Sequence, residues 1–157
     1  MSDNEYEPEQ QQGNFVFPRP AGDCKKGDYI VLNGGPCKIM ETSTSKTGKH
    51  GHAKSKITAI NIFTGAKVEE VLPSSHNVEC PTVEKKEYEL VSLDGDFVTY
   101  SDEDGGYHED LKLPGPQDIN DFVNALKADY EKGLNLMLSI TSAMGIDQIV
   151  GYKENKK

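Results

Sequence analysis

The sequence predicts a mostly β chain arranged as two small modules, with a single helix late in the second. Three observations predict it. Short apolar runs of period two recur from Gly27 onward, turn signals such as Asn33-Gly34 and Asp94-Gly95 separate them, and one segment near residue 120 changes to a spacing of three and four. At 157 residues, with 35% hydrophobic and 27% charged side chains, the chain has room for one domain of ordinary size or two small ones, each with a modest core.

Residues 1–14 (MSDNEYEPEQQQGN) hold almost no apolar side chain, so they cannot bury enough surface to offset their ordering entropy, and a disordered acidic tail is expected. The first module is assigned to residues 15–80. Asp28-Tyr29-Ile30-Val31-Leu32 reads as a strand, Asn33-Gly34-Gly35-Pro36 as a turn and Cys37-Lys38-Ile39-Met40 as the returning strand, because Asn and Gly both tolerate the positive φ that a tight hairpin needs. Ile57 to Phe63 and Ala66 to Val71 follow as strands joined by Thr64-Gly65. The hydroxyl- and glycine-rich segment from about Ser43 to Ala53 therefore falls at a hairpin tip, which gives it a rigid base and a mobile end.

A boundary is expected near Cys80-Pro81, where a proline interrupts and the charge balance switches: residues 79–157 carry eight lysines against 17 acids. The second module, 81–153, opens with Glu87-Tyr88-Glu89-Leu90-Val91-Ser92-Leu93 in strict alternation, then Phe97 to Tyr100 and Tyr107 to Leu113. Pro116 and Asp118 mark a helix start, and Ile119, Phe122, Val123, Leu126 and Tyr130 carry its spacing up to Gly133. Leu134 to Thr141 and Ile146 to Tyr152 close the module as strands, and 154–157 is a tail. Three strands, a helix and two strands are the parts of a five-stranded oligonucleotide-binding (OB) barrel.

Composition excludes several classes. Cys24, Cys37 and Cys80 are odd in number, with no Cys-x-x-Cys pair, so reduced buried thiols are expected rather than a disulfide framework or a zinc site. The N-terminus has no signal-peptide character and no apolar run reaches membrane-spanning length, so a soluble intracellular protein without a membrane partner is expected.

The functional signal is a gap in the acids. The chain carries 26 Asp+Glu against 17 Lys+Arg, yet no acid lies between Thr42 and Val68, a window that holds Lys46, Lys49, Lys54, Lys56 and Lys67 with His50 and His52. Positive charge concentrated on one flexible projection of an acidic body is suited to meeting phosphate at one place while the body repels the rest of a polyanion. Gly48 and Gly51 bracket Lys49 and His50, giving the backbone freedom and Lys49 an uncrowded side chain. A P-loop is excluded, because Gly48-Lys49 is followed by His and the position five before Gly48 is Ser43. His50 and His52 alternate, but a metal site would have to recruit Cys37 or His76 from elsewhere, so hydrogen bonding or stacking on bases is the expected use. Cys80 and Ser74-Ser75-His76 are the only nucleophile candidates, and no third orienting residue accompanies them. The acidic turns at 94–96 and 102–105 lack the ligand spacing of a calcium loop.

Ser43-Thr44-Ser45-Lys46-Thr47-Gly48-Lys49-His50-Gly51-His52-Ala53-Lys54 resembles, position for position, the loop of the eukaryotic translation factor five A family, the hypusine-containing proteins. Gly35 to Ile39, Asn61 to Gly65, Pro73 to Asn77 and Glu109 to Pro114 are similar to that family too, and the resemblance runs from about Phe15 to Tyr152. It implies an N-terminal SH3-like barrel with the loop at its tip, followed by an OB-fold barrel. It implies further that deoxyhypusine synthase transfers a four-carbon amine from spermidine to Lys49 and that deoxyhypusine hydroxylase completes the hypusine. On this resemblance the protein is a non-enzymatic translation factor of the cytoplasm, with a nuclear pool allowed, and takes no cofactor. It would bind the ribosome beside peptidyl-tRNA, direct the modified arm toward the acceptor end, and promote peptide-bond formation at stalled sequences such as consecutive prolines, as well as termination. Lys46, Thr47, Gly48, His50, Gly51, His52, Lys54 and Lys56 would then serve tRNA or ribosome contact and recognition by the modifying enzymes. The acidic second module is not expected to bind nucleic acid across its face, since fold does not dictate function. The Asn33-Gly34-Gly35 turn lacks the basic residue often found before Pro-Cys in that family, and Ser55-Lys56 adds charge after the loop. Two other readings stay open: a non-ribosomal RNA-binding module with unmodified Lys49, and an enzyme using Cys80 or His76.

Overall fold

Alternating sequence becomes antiparallel pairing throughout the computed structural model, which describes residues 16–45 and 53–156. The expected tail at 1–14 lies outside the described residues. Two compact units result: the described residues up to Val83 with Ala143–Gly145, and Glu84–Ser142 with Ile146 onward.

In the first unit, β2 (Tyr29–Leu32), β3 (Gly35–Ser45), β4 (Lys54–Asn61) and β5 (Lys67–Pro73) form a four-stranded antiparallel sheet in sequence order. The β2–β3 turn is the one expected from sequence, with Asn33 at φ 55° and Gly34 at φ 77°. At the β4–β5 turn Asn61 Oδ1 accepts the Phe63 and Thr64 amides at 2.8 and 3.0 Å, and Gly65 takes φ 80°. Alternation buries Ile30, Leu32, Cys37, Ile39, Ile57 and Ala59, which form one cluster with Ala21, Cys24 and Cys80.

Two strands of this unit escape a reading by apolar alternation. β1 (Val16–Pro20) pairs with β6 (Asn77–Pro81) in a separate ribbon, and a single 3-10 turn, Ala21–Asp23, follows β1. β1 reads Val-Phe-Pro-Arg-Pro, and prolines demote a run from strand to edge; a two-stranded ribbon consists only of edges, so their missing amides cost it little. The expected loop also begins later than predicted: Ser43, Thr44 and Ser45 belong to β3, in register with Lys56, Ser55 and Lys54.

The second unit is a five-stranded sheet in the order β11-β10-β7-β8-β9, with β7 Val83–Asp94, β8 Phe97–Ser101, β9 Tyr107–Lys112, β10 Leu136–Ala143 and β11 Ile146–Glu154. β9 also lies against β11, and this closes the barrel. α1 (Val123–Glu131), the one α-helix among the described residues, falls between β9 and β10 and puts Leu126 into a core of Val98, Leu111, Leu136, Leu138 and Ile149. The fold class is therefore the expected one: mostly β, with an N-terminal half-barrel and a C-terminal OB-fold domain carrying one helix. The helix begins five residues later than Asp118. The Asp118 carboxylate accepts the Gly115 amide at 3.1 Å and its own amide donates back to the Gly115 carbonyl, so Asp118 closes a local turn instead of capping a helix. The helix stops as predicted. Gly133, at φ 83°, donates to Tyr130 and Leu134 donates to Asp129, a Schellman motif.

Cys24, Cys37 and Cys80 are free thiols, each no more than 3% exposed. Burial, and then Cys80 beside it, pushes the Cys24 thiol up from 9.0 to about 11. In the second unit burial, with Asp110 and Asp147 nearby, pushes Tyr100 up from 10.0 to about 12. Both groups favour the protonated native state. The unfolded chain releases these protons first as pH rises, so stability present below about pH 9 is lost between 9 and 11 through Cys24, and between 10 and 12 through Tyr100. Thermal melting followed across this range should show a falling midpoint. Cys24→Ala should flatten the pH 9 to 11 part of the fall, whatever it does to the midpoint at pH 7.

Candidate functional site

The β3–β4–β5 register decides which side chains reach the outside near the hairpin end. Ser45 pairs with Lys54 and Lys54 with Pro73; Ser43 pairs with Lys56 and Lys56 with Val71. These positions form two exposed rows, while Ser55 and Ile57 between them are 2% and 0% exposed. The next row toward the root is Glu41, Thr58 and Glu69, where the acids return. Thr58 Oγ1 donates to Glu69 at 3.5 Å, and Lys67 pairs with the same carboxylate at 3.7 Å. Lys54 and Lys56 are exposed and make no ion pair with any described residue. The two strands are thus graded along their length, from acids at the root, where Glu69 meets Lys67, to exposed lysines flanked by hydroxyls toward Ser45 and Lys54.

A buried brace holds this end in place. Ser55 Oγ and Ser74 Oγ share a hydrogen bond of 2.7 Å. The Ser74 amide donates to the Ala53 carbonyl at 2.9 Å, and the Ser74 carbonyl accepts the Gly22 amide at 2.9 Å. Next to it the Ala21 amide donates to the His76 carbonyl at 2.8 Å. The β5–β6 turn therefore ties the first residues of the returning strand to the 3-10 turn after β1. Gly22 permits the approach, since a Cβ there would meet Ser74 Cβ at 3.0 Å.

Of the residues singled out from sequence, Lys54 and Lys56 sit together on the exposed face. Lys46, Thr47, Gly48, Lys49, His50, Gly51 and His52 lie outside the described residues. Ser55, read from sequence only as a neighbour of added charge, is instead a buried anchor. Its position between Lys54 and Lys56 in a strand was the signal, because alternation must turn it inward. Val71, an apolar side chain 61% exposed beside Lys56, was not singled out either.

The nucleophile candidates are not assembled into a site. Burial raises the Cys80 thiol, which disfavours the reactive thiolate. Ser74 Oγ is engaged by Ser55, while the His76 bonds here are those of its backbone, including its amide to the Pro73 carbonyl at 2.9 Å. In the second unit Asp102 organises its own turn: it accepts the Asp104 and Gly106 amides at 2.9 and 2.8 Å and pairs with His108 at 2.8 Å, and the His108 bond, ahead of the amides, holds its carboxyl below the usual range. Among the described residues no three His, Cys, Asp or Glu side chains gather as a metal-binding group. No helix among them is long and apolar enough to cross a membrane.

The brace is testable by itself. Ser74→Ala leaves the buried Ser55 hydroxyl without its partner and should cost about 1–3 kcal/mol, whereas the Ser55→Ala, Ser74→Ala double variant should lose less than the sum of the single changes. Urea unfolding of the four proteins measures this coupling.

The description "Translation initiation factor 5A-like, N-terminal" matches residues 15–76, and "Eukaryotic elongation factor 5A hypusine, DNA-binding OB fold" matches residues 82–153. The chain is 43% identical to "Eukaryotic translation initiation factor 5A-1/2" of Solanum tuberosum, an alignment covering 98% of this chain and 97% of that one. It is 42% identical to "Eukaryotic translation initiation factor 5A-3" of Arabidopsis thaliana, over 98% of each. Among solved structures, a translation initiation factor eif-5a family protein from Naegleria fowleri superposes with a TM-score of 0.83 at 45% identity, covering 88% of this chain and 98% of that one. "Eukaryotic translation initiation factor 5A" from Methanococcus jannaschii superposes with a TM-score of 0.62 at 29% identity, over 90% and 93% of the two chains.

Proposed function

The chain belongs to the translation initiation factor 5A family, and from that premise we propose that Lys49 is converted to hypusine and that the modified arm acts on the ribosome beside peptidyl-tRNA. The observation that carries the reading is the braced pair of strands β3 and β4, on which Ser43–Ser45 lie in register with Lys54–Lys56 and Lys54 and Lys56 face outward with no acid in their rows. Deoxyhypusine synthase and deoxyhypusine hydroxylase are the modifying partners and spermidine the source of the added carbons; no cofactor is required. Gly48 and Gly51 give the backbone the freedom to enter a narrow enzyme site.

The modification lengthens the side chain and adds a second amine. Against a reference lysine value of about 10.4, both nitrogens are cationic at neutral pH, so a point charge on a flexible stem becomes an extended dication. Lys46, Lys54 and Lys56 supply phosphate contacts that fix register without reading sequence, and Thr47, His50 and His52 add hydrogen-bonding groups around the arm. Catalysis then needs no acid or base from this chain. Holding the acceptor end of peptidyl-tRNA in attack geometry is worth several kcal/mol, up to about 7–11 in ideal intramolecular cases, and stalled sequences such as consecutive prolines are where such orientation limits the rate. Termination draws on the same positioning. The site of action is the cytoplasm, and a nuclear pool is compatible with it.

Mass spectrometry of the Lys49 peptide from native cells should find the hydroxylated aminobutyl arm on that residue. Lys49→Arg, which keeps the charge but blocks the modification, should reduce synthesis of polyproline-containing reporters to the level seen without the factor; normal synthesis would sink the proposal. Lys54→Ala and Lys56→Ala, compared at equal modification of Lys49, should weaken ribosome binding and lower the salt dependence of that binding by about one unit of slope per lysine.

A further inference from the structure

The outer face of β7–β8–β9 is the feature that the hairpin's role leaves unused. Of the six large apolar side chains exposed among the described residues, three lie here: Val91 at 39%, Phe97 at 57% and Tyr107 at 70%. They are not needed for the core, which the opposite face fills with Leu90, Val98, Tyr100 and Leu111. Register places Phe97 between Asp94 and Lys112, and puts Tyr107 beside Ser101, whose other neighbour is Glu89. Between these two rows the exposed Glu109 and Asp110 share the bulge opposite Thr99. The aromatic rows are four residues apart along β8, on the order of 13 Å, which matches the distance between side chains i and i+4 on one face of an extended segment.

In barrels of this topology the face of the second and third strands is the usual place for an oligonucleotide or oligosaccharide. Here the charge has the wrong sign for a polyanion. Single-strand binding needs a cationic groove that follows the backbone, but the paired rows of this face offer Glu89, Asp94, Glu109 and Asp110 against Lys112, with Lys85 and Lys86 further back along β7. The same chemistry suits a cation. Lys112 Nζ already lies 4.9 Å from the centroid of the Phe97 ring, and the exposed Tyr107 ring offers a second such seat with carboxylates at its side. Beyond the Tyr107 row, a cleft of about 320 Å³ is lined in part by Tyr88, Met137, Glu89 and Glu103, with Glu87 already paired to Lys153 at 3.1 Å and Asp102 to His108. Two aromatic seats with carboxylates between and beside them have the chemistry of a surface whose partner brings arginine or lysine.

We propose that the outer face of β7–β8–β9 docks an extended, arginine- or lysine-bearing segment of a partner protein, with Phe97 and Tyr107 as anchors and the carboxylates between and beside them as the selective charge. The reading is independent of Lys49 and its modification. The test is an amide-resolved NMR titration of the full chain with a short synthetic peptide of alternating arginine and serine and, separately, with a single-stranded RNA of equal length. The peptide should shift amides of β8 and β9. The Phe97→Ala, Tyr107→Ala double variant, whose charge is unchanged, should bind it about tenfold more weakly. Glu109→Lys, which keeps both aromatic anchors, should weaken it similarly and serves if the double variant loses its fold. Unchanged affinity in these variants would reduce the effect to diffuse attraction and overturn the proposal. Absence of peptide shifts would overturn it equally, and RNA shifts at the same amides would return the face to nucleic acid.

Discussion

A hydrogen bond between two hydroxyls, Ser55 Oγ and Ser74 Oγ, fixes the end of the hairpin on which the functional reading depends. Ser55 is buried one residue after Lys54 and one before Lys56, so any rotation of β4 that moved the lysines would have to pull a polar group out of its hydrogen bond with Ser74. Ser74 is itself held on both sides, by its amide to Ala53 and its carbonyl from Gly22. The returning strand is thereby determined by two neighbouring turns as well as by its own ladder. Precision at Lys54 and Lys56 is thus built into the strands themselves.

The rest of the first unit serves that arrangement. β1 and β6 are weak strands by composition, yet their ribbon carries the 3-10 turn to Ser74 and places Cys80 in the core beside Cys24. β3 carries a bulge between Ile39 and Glu41. It shifts the β3 register by one, so Ser43 and Ser45 face outward with Lys56 and Lys54 while Ile39 still packs inward against Ala59. Without it, one of these two requirements would fail.

Much of this was legible in the sequence, and the failures have physical causes. Asn33-Gly34 and Thr64-Gly65 announced their turns because few residues accept positive φ, and strand–helix order gave the second barrel. The helix start was misplaced because Asp118 can satisfy either a helix or a local turn, and the turn with Gly115 prevailed. β1 was hidden by its prolines, and Ser43 to Ser45 by hydroxyls that suit loops and strands alike. At the site, the acid-free window located Lys54 and Lys56, but Ser55 was masked by the lysines around it. The aromatic face of the second unit was also obscured: Phe97 and Tyr107 alternate as core residues do, and only the bulges at Val91 and opposite Thr99 determine which way they point.

Charge grading along the hairpin explains how an acidic protein of net charge −9 can present a cationic end at all. The Glu41–Thr58–Glu69 row stands four residues from the Ser45–Lys54–Pro73 row, on the order of 13 Å along the strand. The Debye length at physiological ionic strength is about 8 Å, so the root acids are largely screened from the terminal lysine but still act on anything brought up beside them. A polyanion therefore meets attraction at the end of the hairpin and repulsion a few residues down its stem. That difference favours an approach along the strands from the Ser45–Lys54 row, and it needs no sequence-specific contact. Lower salt would lengthen the reach of the root acids and blunt the distinction, so the orienting effect is best matched to the ionic strength at which the lysine row is screened from its own stem.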